Sequence, residues 1–220
     1  IHDIKSPLHF LNTVSDHLTK NFATNAPEKN NQIVREISAS LNRLYLFTQD
    51  FAIWLNASAS APLQGATRVN LPQTVSESIE VYNEIITKKG LTITTQTDTD
   101  FIYGDAPMIK SILRNLIDNA VKNTASGNIG ITARNKSEEL CEITITDEGK
   151  GLTDEQLQEL NHYMHSDQEL LSFSSSQFGH KVIKDFIRKL SGNIHYCHNR
   201  PVGVIVTLTI PTGQKDNKML

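Results

Sequence analysis

In the first quarter of the chain the apolar residues recur every three or four positions, the period of an α-helix that buries one face. Ile1, Ile4, Leu8, Leu11, Leu18 and Phe22 keep that spacing, with Ser15 the one interruption. After polar turn chemistry at Thr24, Asn25, Ala26 and Pro27, a second stripe runs through Ile33, Ile37, Leu41, Leu44, Phe47, Phe51 and Leu55. Two long amphipathic helices joined by a short turn make an antiparallel hairpin. One hairpin cannot cover both of its stripes. It needs a partner, most simply its own copy in a four-helix bundle.

The period changes after a stretch of small residues, Pro and Gly, "NASASAPLQGATR", the best linker in the chain. Beyond it helical and alternating patterns interleave. A helix is expected over 72–88 and a strand in "LTITTQ". A long helix follows in "DAPMIKSILRNLIDNAVKN", then strands in "NIGITAR" and "LCEITITD". Further helices are expected over 153–163 and 179–190, and "NIHYCHN" with "VIVTLTIP" closes the chain as a hairpin. The expected fold class is therefore α+β: a helical hairpin, half of a dimeric four-helix bundle, followed by a two-layer α/β sandwich with a mixed sheet. The boundaries read as 1–57 for the hairpin, 58–68 for the linker, 69–213 for the sandwich and 214–220 for a tail. No internal repeat is present.

Composition narrows the function classes. With 21 basic and 24 acidic residues and a formal net charge of -3, nothing pulls the chain toward nucleic acid or an anionic membrane. The two cysteines, Cys141 and Cys197, stand alone in strand-like runs, which fits neither a metal site nor a disulfide framework and suits a reducing, cytoplasmic compartment. No apolar run approaches the ~20 residues of a membrane span. The chain opens on Ile1 rather than Met and reads as a piece of a longer protein, whose missing part is free to carry a membrane anchor.

Three short stretches carry chemistry. On the helix expected over 105–123, Asn115, Asn119 and Lys122 are spaced by four and three residues and share a face away from the apolar stripe of Ile109, Ile112, Leu113, Leu116, Ile117 and Ala120. Amide oxygens can ligate a hard cation such as Mg²⁺, while amide nitrogens and the lysine can hold phosphate. An ordinary solvated polar face has the same composition. In "DEGKG", Asp147 ends a strand where its carboxylate could accept a hydrogen bond from a base amine. Gly149 and Gly151 there admit a ligand that a Cβ would exclude. A plain strand-to-helix turn would also use Asp and Gly. In "SSSQFGHKVIK", Gly179 opens a helix whose free N–H groups could bind phosphate, though Ser and Gly also make an ordinary cap.

The order of these stretches resembles the sensor histidine kinases of two-component signalling, over essentially the whole chain. "HDIKSPL" resembles the phospho-acceptor box, "NLIDNAVKN" the asparagine box, "DEGKG" the first glycine box, "FGHKVIK" a degraded second one and "VIVTLTIP" the closing strand. The resemblance implies a dimerising hairpin and the ATP-binding sandwich shared with gyrase, heat-shock chaperone and mismatch-repair ATPases. It implies His2 as phospho-acceptor, with Asp3 accepting or orienting the imidazole proton. Asn115 would hold Mg²⁺, Asn119 and Lys122 the phosphates of ATP, and Asp147 the adenine amine, with Gly149 and Gly151 around the base and Gly179 in the second glycine box. A homodimer and a response-regulator receiver domain are the implied partners.

Pro7 lacks the N–H that would bond Asp3 O, which would loosen the helix beside His2. Where the second glycine box usually begins with alternating glycines, Gln177 and His180 flank a single Gly179. Asn123 replaces the usual aromatic, and the segment 152–178 is short and lacks the usual Phe-x-x-Phe signature. Ser6 stands where relatives often carry Thr or Asn for dephosphorylation. A nucleotide-binding pseudokinase or sensory scaffold is therefore the alternative. A plain ATPase or serine kinase of the same superfamily would need an acid four residues before Asn115, where Ser111 stands.

Overall fold

The computed structural model of the 220-residue chain describes residues 27–59, 66–167 and 175–212. The chain divides into two compact units, Ile1–Ser58 with Leu170–Gly179, and Ala59–Glu169 with His180–Leu220.

Of the first unit, the described part is led by α1, Pro27–Ala59, a helix of 33 residues with Glu28 in its first turn. The start is local chemistry: proline tolerates the first helical turn, and an acid there faces the positive end of the helix dipole. The expected second stripe is present. Leu41 and Leu55 on it nevertheless remain 51% and 47% exposed, beside exposed Val34 and Tyr45. Phe47, Phe51 and Trp54 gather around the buried Phe178, whose ring centre lies 4.9 Å from that of Phe47 and 5.9 Å from that of Phe51. Trp54 meets Phe178 edge-on at 6.1 Å, so it is an aromatic packing anchor. The partner helix expected over the first two dozen residues lies outside the described residues.

The second unit holds a two-stranded antiparallel sheet, β1 (Thr67–Asn70) with β3 (Phe101–Gly104), and a five-stranded mixed sheet. The larger sheet comprises β2 (Leu91–Thr97), β4 (Gly127–Asn135), β5 (Leu140–Asp147), β6 (Asn193–His198) and β7 (Val204–Pro211), in the order β2-β4-β5-β7-β6. Only β2 and β4 pair in parallel, the remaining ladders being antiparallel, and β6 and β7 form the expected closing hairpin. Helix α4 (Ala106–Asn123) lies between the two parallel strands in sequence, as a crossover requires. Its stripe of Ile109, Ile112, Leu113, Leu116, Ile117 and Ala120 is buried as its spacing predicts. Facing it are Ile129, Ile131, Ile143 and Ile145 from one side of the sheet. Burying each such side chain contributes roughly 1.5–3 kcal/mol. The opposite sheet side carries half-exposed Thr144, Thr146, Thr207 and Thr209, giving two layers rather than three.

Three expectations need correction. The helix expected over 72–88 is two, α2 (Leu71–Glu80) and α3 (Asn83–Lys89). Tyr82 leaves helical geometry between them (φ -107°, ψ 4°), and its hydroxyl donates to Arg114 O of α4 at 3.1 Å. Strands β1 and β3 are each four residues long, too short to show a period, and β1 occupies the end of the expected linker. The last helix, α6, is Ser175–Lys189, so Gly179 lies inside it instead of opening it. Its apolar face of Phe178, Val182, Ile183, Phe186, Ile187 and Leu190 begins one residue before Gly179, and the helix starts early enough to include it. The helix expected over 153–163 is α5, Asp154–His165, opened by a capping box between Thr153 and Gln156.

Candidate functional site

The second unit holds Asn115, Asn119 and Lys122 on α4, Asp147 at the end of β5, and Gly149 and Gly151 in the loop beyond it. Asp105 starts α4 by accepting Met108 N–H at 2.9 Å, and Pro107 fits its first turn. Lys89 closes the other end. Its ammonium donates to Val121 O, Lys122 O and Thr124 O, three carbonyls that the helix terminus leaves without intrahelical partners. The helix bearing the polar face is thus fixed at both ends.

Along that face, Asn115 Nδ2 donates to Ser111 O at 2.8 Å. Asn115 and Asn119 are half-buried, whereas Lys122 is exposed and paired with Asp118 one turn back. Asn123 Nδ2 donates to Asn119 O, so the residue in the place of the usual aromatic caps its own helix.

Asp147 ends β5, 7% exposed. Its Oδ1 accepts Gly149 N–H at 2.8 Å and Val204 N–H at 3.3 Å, and Oδ2 takes part in neither bond. Burial pushes the carboxyl above the usual aspartate range, partly offset by those two N–H donors. The loop beyond it packs backbone to backbone. A Cβ on Gly149 would stand 2.6 Å from Asn123 O and 2.8 Å from Asp147 Oδ1, and Lys150 N–H donates to the same Asn123 carbonyl. The loop after β5 is therefore stitched to the end of α4 through the Asn123 carbonyl. Glu148 Oε2 accepts Asn128 N–H and holds the start of β4.

Gly179 belongs to the first unit, and His2, Asp3, Ser6 and Pro7 lie outside the described residues. Residues that sequence reasoning missed lie around Asp147: Asn199, which donates to Asp147 O, and Gly203, which no other residue could replace at that contact. Gly203 carried a weak signal as a turn glycine after Pro201. Asn199 carried none. Among the described residues no group of three or more His, Cys, Asp and Glu side chains could hold a metal ion.

The family described as "Histidine kinase-, DNA gyrase B-, and HSP90-like ATPase" matches residues 104–214. The histidine protein kinase SaeS of Staphylococcus epidermidis is 26% identical over 97% of this chain, which spans 62% of that relative's length. In three dimensions the chain is similar to the histidine kinase AdeS of Acinetobacter baumannii, with a TM-score of 0.69 at 18% identity over 97% of this chain and 99% of that one. It is also similar to the histidine kinase ThkA, solved in complex with the response regulator TrrA, with a TM-score of 0.60 at 23% identity over 96% of this chain and 59% of the other. These likenesses of structure bear on the fold.

Proposed function

The chain belongs to the histidine kinase-, DNA gyrase B- and HSP90-like ATPase family, and from that premise we propose that it is the ATP-dependent autokinase core of a two-component sensor. The observation that carries this reading is the Asp147 carboxyl, buried, with Oδ1 accepting two backbone N–H groups and Oδ2 outside both bonds. A carboxylate so placed accepts the exocyclic amine of adenine, and Gly149 and Gly151 let the base approach the backbone. Asn115 would supply an amide oxygen to Mg²⁺, and Asn119 and Lys122 would bind the phosphates. Lys122 exchanges its partner Asp118 for phosphate as nucleotide enters. The metal ion, when bound, neutralises charge on the transferring phosphoryl group.

His2 supplies the nucleophile. A neutral imidazole nitrogen forms the bond to the γ-phosphorus as the bond to the bridging oxygen breaks, ADP leaves, and Asp3 takes the imidazole proton. Phosphohistidine then passes its phosphoryl group to an aspartate of a receiver domain, a partner class in keeping with the ThkA–TrrA complex. The half-exposed Val34, Leu41, Tyr45 and Leu55 of α1 are the surface offered to a second copy in a homodimer. Among the described residues no helix is long and apolar enough to cross a membrane; we place this part of the protein in the cytoplasm, where ATP and a receiver domain are found.

One observation favours a second reading. Gly179 stands alone inside α6, flanked by Gln177 and His180, so the second glycine box lacks the flexible entry of its kind. A nucleotide-binding scaffold without turnover would tolerate that. Incubation with γ-labelled ATP and Mg²⁺ separates the two. Acid-labile, base-stable label on the wild type and none on His2→Gln supports the kinase. Binding without label supports the scaffold, and absence of binding removes both.

A further inference from the structure

On its β4 side Asp147 is held by the ladder, opposite Ile129, but on its β7 side the pairing stops one residue short, at Thr146 and Ile205. The β6–β7 turn takes over there. Asn199 Nδ2 donates to Asp147 O at 2.8 Å, and Asn199 N–H donates to Gly203 O at 3.0 Å. Gly203 lies in the left-handed half of backbone space (φ 115°), and a Cβ on it would fall 1.9 Å from the same Asp147 carbonyl oxygen. The next residue, Val204, gives its N–H to Asp147 Oδ1. Both ends of the turn thus rest on one peptide of the site, and the turn sets where one oxygen of the acid points.

We propose that Asn199 is a positioning residue for base recognition: by tying Asp147 O to the β6–β7 turn, it keeps Val204 N–H on Oδ1 and so aims Oδ2 at the amine of the base. Alanine at 199 removes one neutral hydrogen bond and frees the turn; aspartate keeps the shape but has no donor and repels the carbonyl. What each variant changes is selectivity for a base that carries an amine, because only that contact depends on the direction of Oδ2.

The inference rests on the adenine-binding reading of Asp147, and the experiment separates the two. Dissociation constants for ATP and for purine riboside triphosphate, which lacks the amine, are measured with Mg²⁺ on the full chain and on Asn199→Ala, Asn199→Asp and Asp147→Asn. The expected result is a preference for ATP in the wild type, lost in Asp147→Asn and reduced roughly five- to tenfold in both Asn199 variants, with binding of the amine-free nucleotide nearly unchanged. Equal weakening toward both nucleotides, or unfolding of both Asn199 variants by circular dichroism, reduces Asn199 to a folding residue and overturns the inference. An intact preference in the Asn199 variants beside its loss in Asp147→Asn also overturns it and leaves the adenine reading standing. If Asp147→Asn keeps the wild-type preference, the adenine reading fails, and this inference with it.

Discussion

Two acids on β5 sit in opposite electrostatic conditions, and single substitutions separate them. Folding raises the pKa of Asp147 because burial disfavours its charge. The sign follows: such a carboxyl favours the fold below its unfolded value, and that contribution is lost as pH rises through the folded value. Asp147→Asn, uncharged at every pH, is expected to melt at or above the wild-type temperature at pH 7. Its amide would meet the base amine donor to donor, so ATP binding should weaken about 10- to 100-fold in a titration. Stability and function are then opposed at one residue. Glu142 behaves in the other sense. Arg134 donates to its Oε1 at 3.0 and 2.6 Å and Lys136 lies 3.1 Å from Oε2, holding the carboxyl below the usual glutamate range. That stabilisation is present above the unfolded value of ~4.3 and is lost as pH falls through the folded one. Arg134 and Lys136 are largely exposed, so Glu142→Gln should cost about 1 kcal/mol or less at pH 7. Urea melts as a function of pH should show that difference closing below about pH 4.

The elements show how edges and ends are satisfied. Strand β6 is an edge of the large sheet, and α5 lies along it. Asn161 Nδ2 donates to Tyr196 O at 2.8 Å and its Oδ1 accepts Tyr196 N–H at 2.9 Å, so one side-chain amide does the work of a further strand. His165 bridges to Asn193 and Asp154 pairs with His198 at the two ends of the contact. Removing the amide with Asn161→Ala strands a donor and an acceptor, and should cost about 1–3 kcal/mol in chemical denaturation. At the end of α6, Ser191 N–H donates to Arg188 O and Gly192 N–H to Ile187 O, the pair of bonds that closes a helix through a left-handed residue. That residue is Ser191 (φ 54°). Glycine adopts this conformation without strain, so Ser191→Gly should stabilise by about 0.5–1 kcal/mol, read as a shift of the denaturation midpoint at constant slope.

For the molecule as a whole, nucleotide binding is linked to folding of the unit that holds the site. ATP at 100 times its dissociation constant should add about 2.7 kcal/mol. Hydrogen exchange should place the added protection on β4, β5 and β7, with α1 unchanged; protection confined to α1 would contradict the assigned site. The helical stripes, the interleaved α/β pattern, the closing hairpin and the acid followed by two glycines were legible in the sequence. Each is a local code, written in periods of two or 3.6 residues or in the φ a turn demands. The caps at Asp105 and Thr153 belong to the same class, because their partners lie three residues away. What remained illegible is long-range and aperiodic. The Tyr82 hydroxyl splits an expected helix by reaching a carbonyl 32 residues on, and β1 finds β3 across two intervening helices and a strand. Lys89 caps α4 from 32 to 35 residues away, and Asn199 meets Asp147 across 52. No spacing in the chain announces such pairs. The sequence by itself therefore determined which segments coil or extend and which residue types can do chemistry, since those depend on near neighbours. Only the tertiary structure decided which way Asp147 faces, because buried polar groups take whatever partners packing brings within reach.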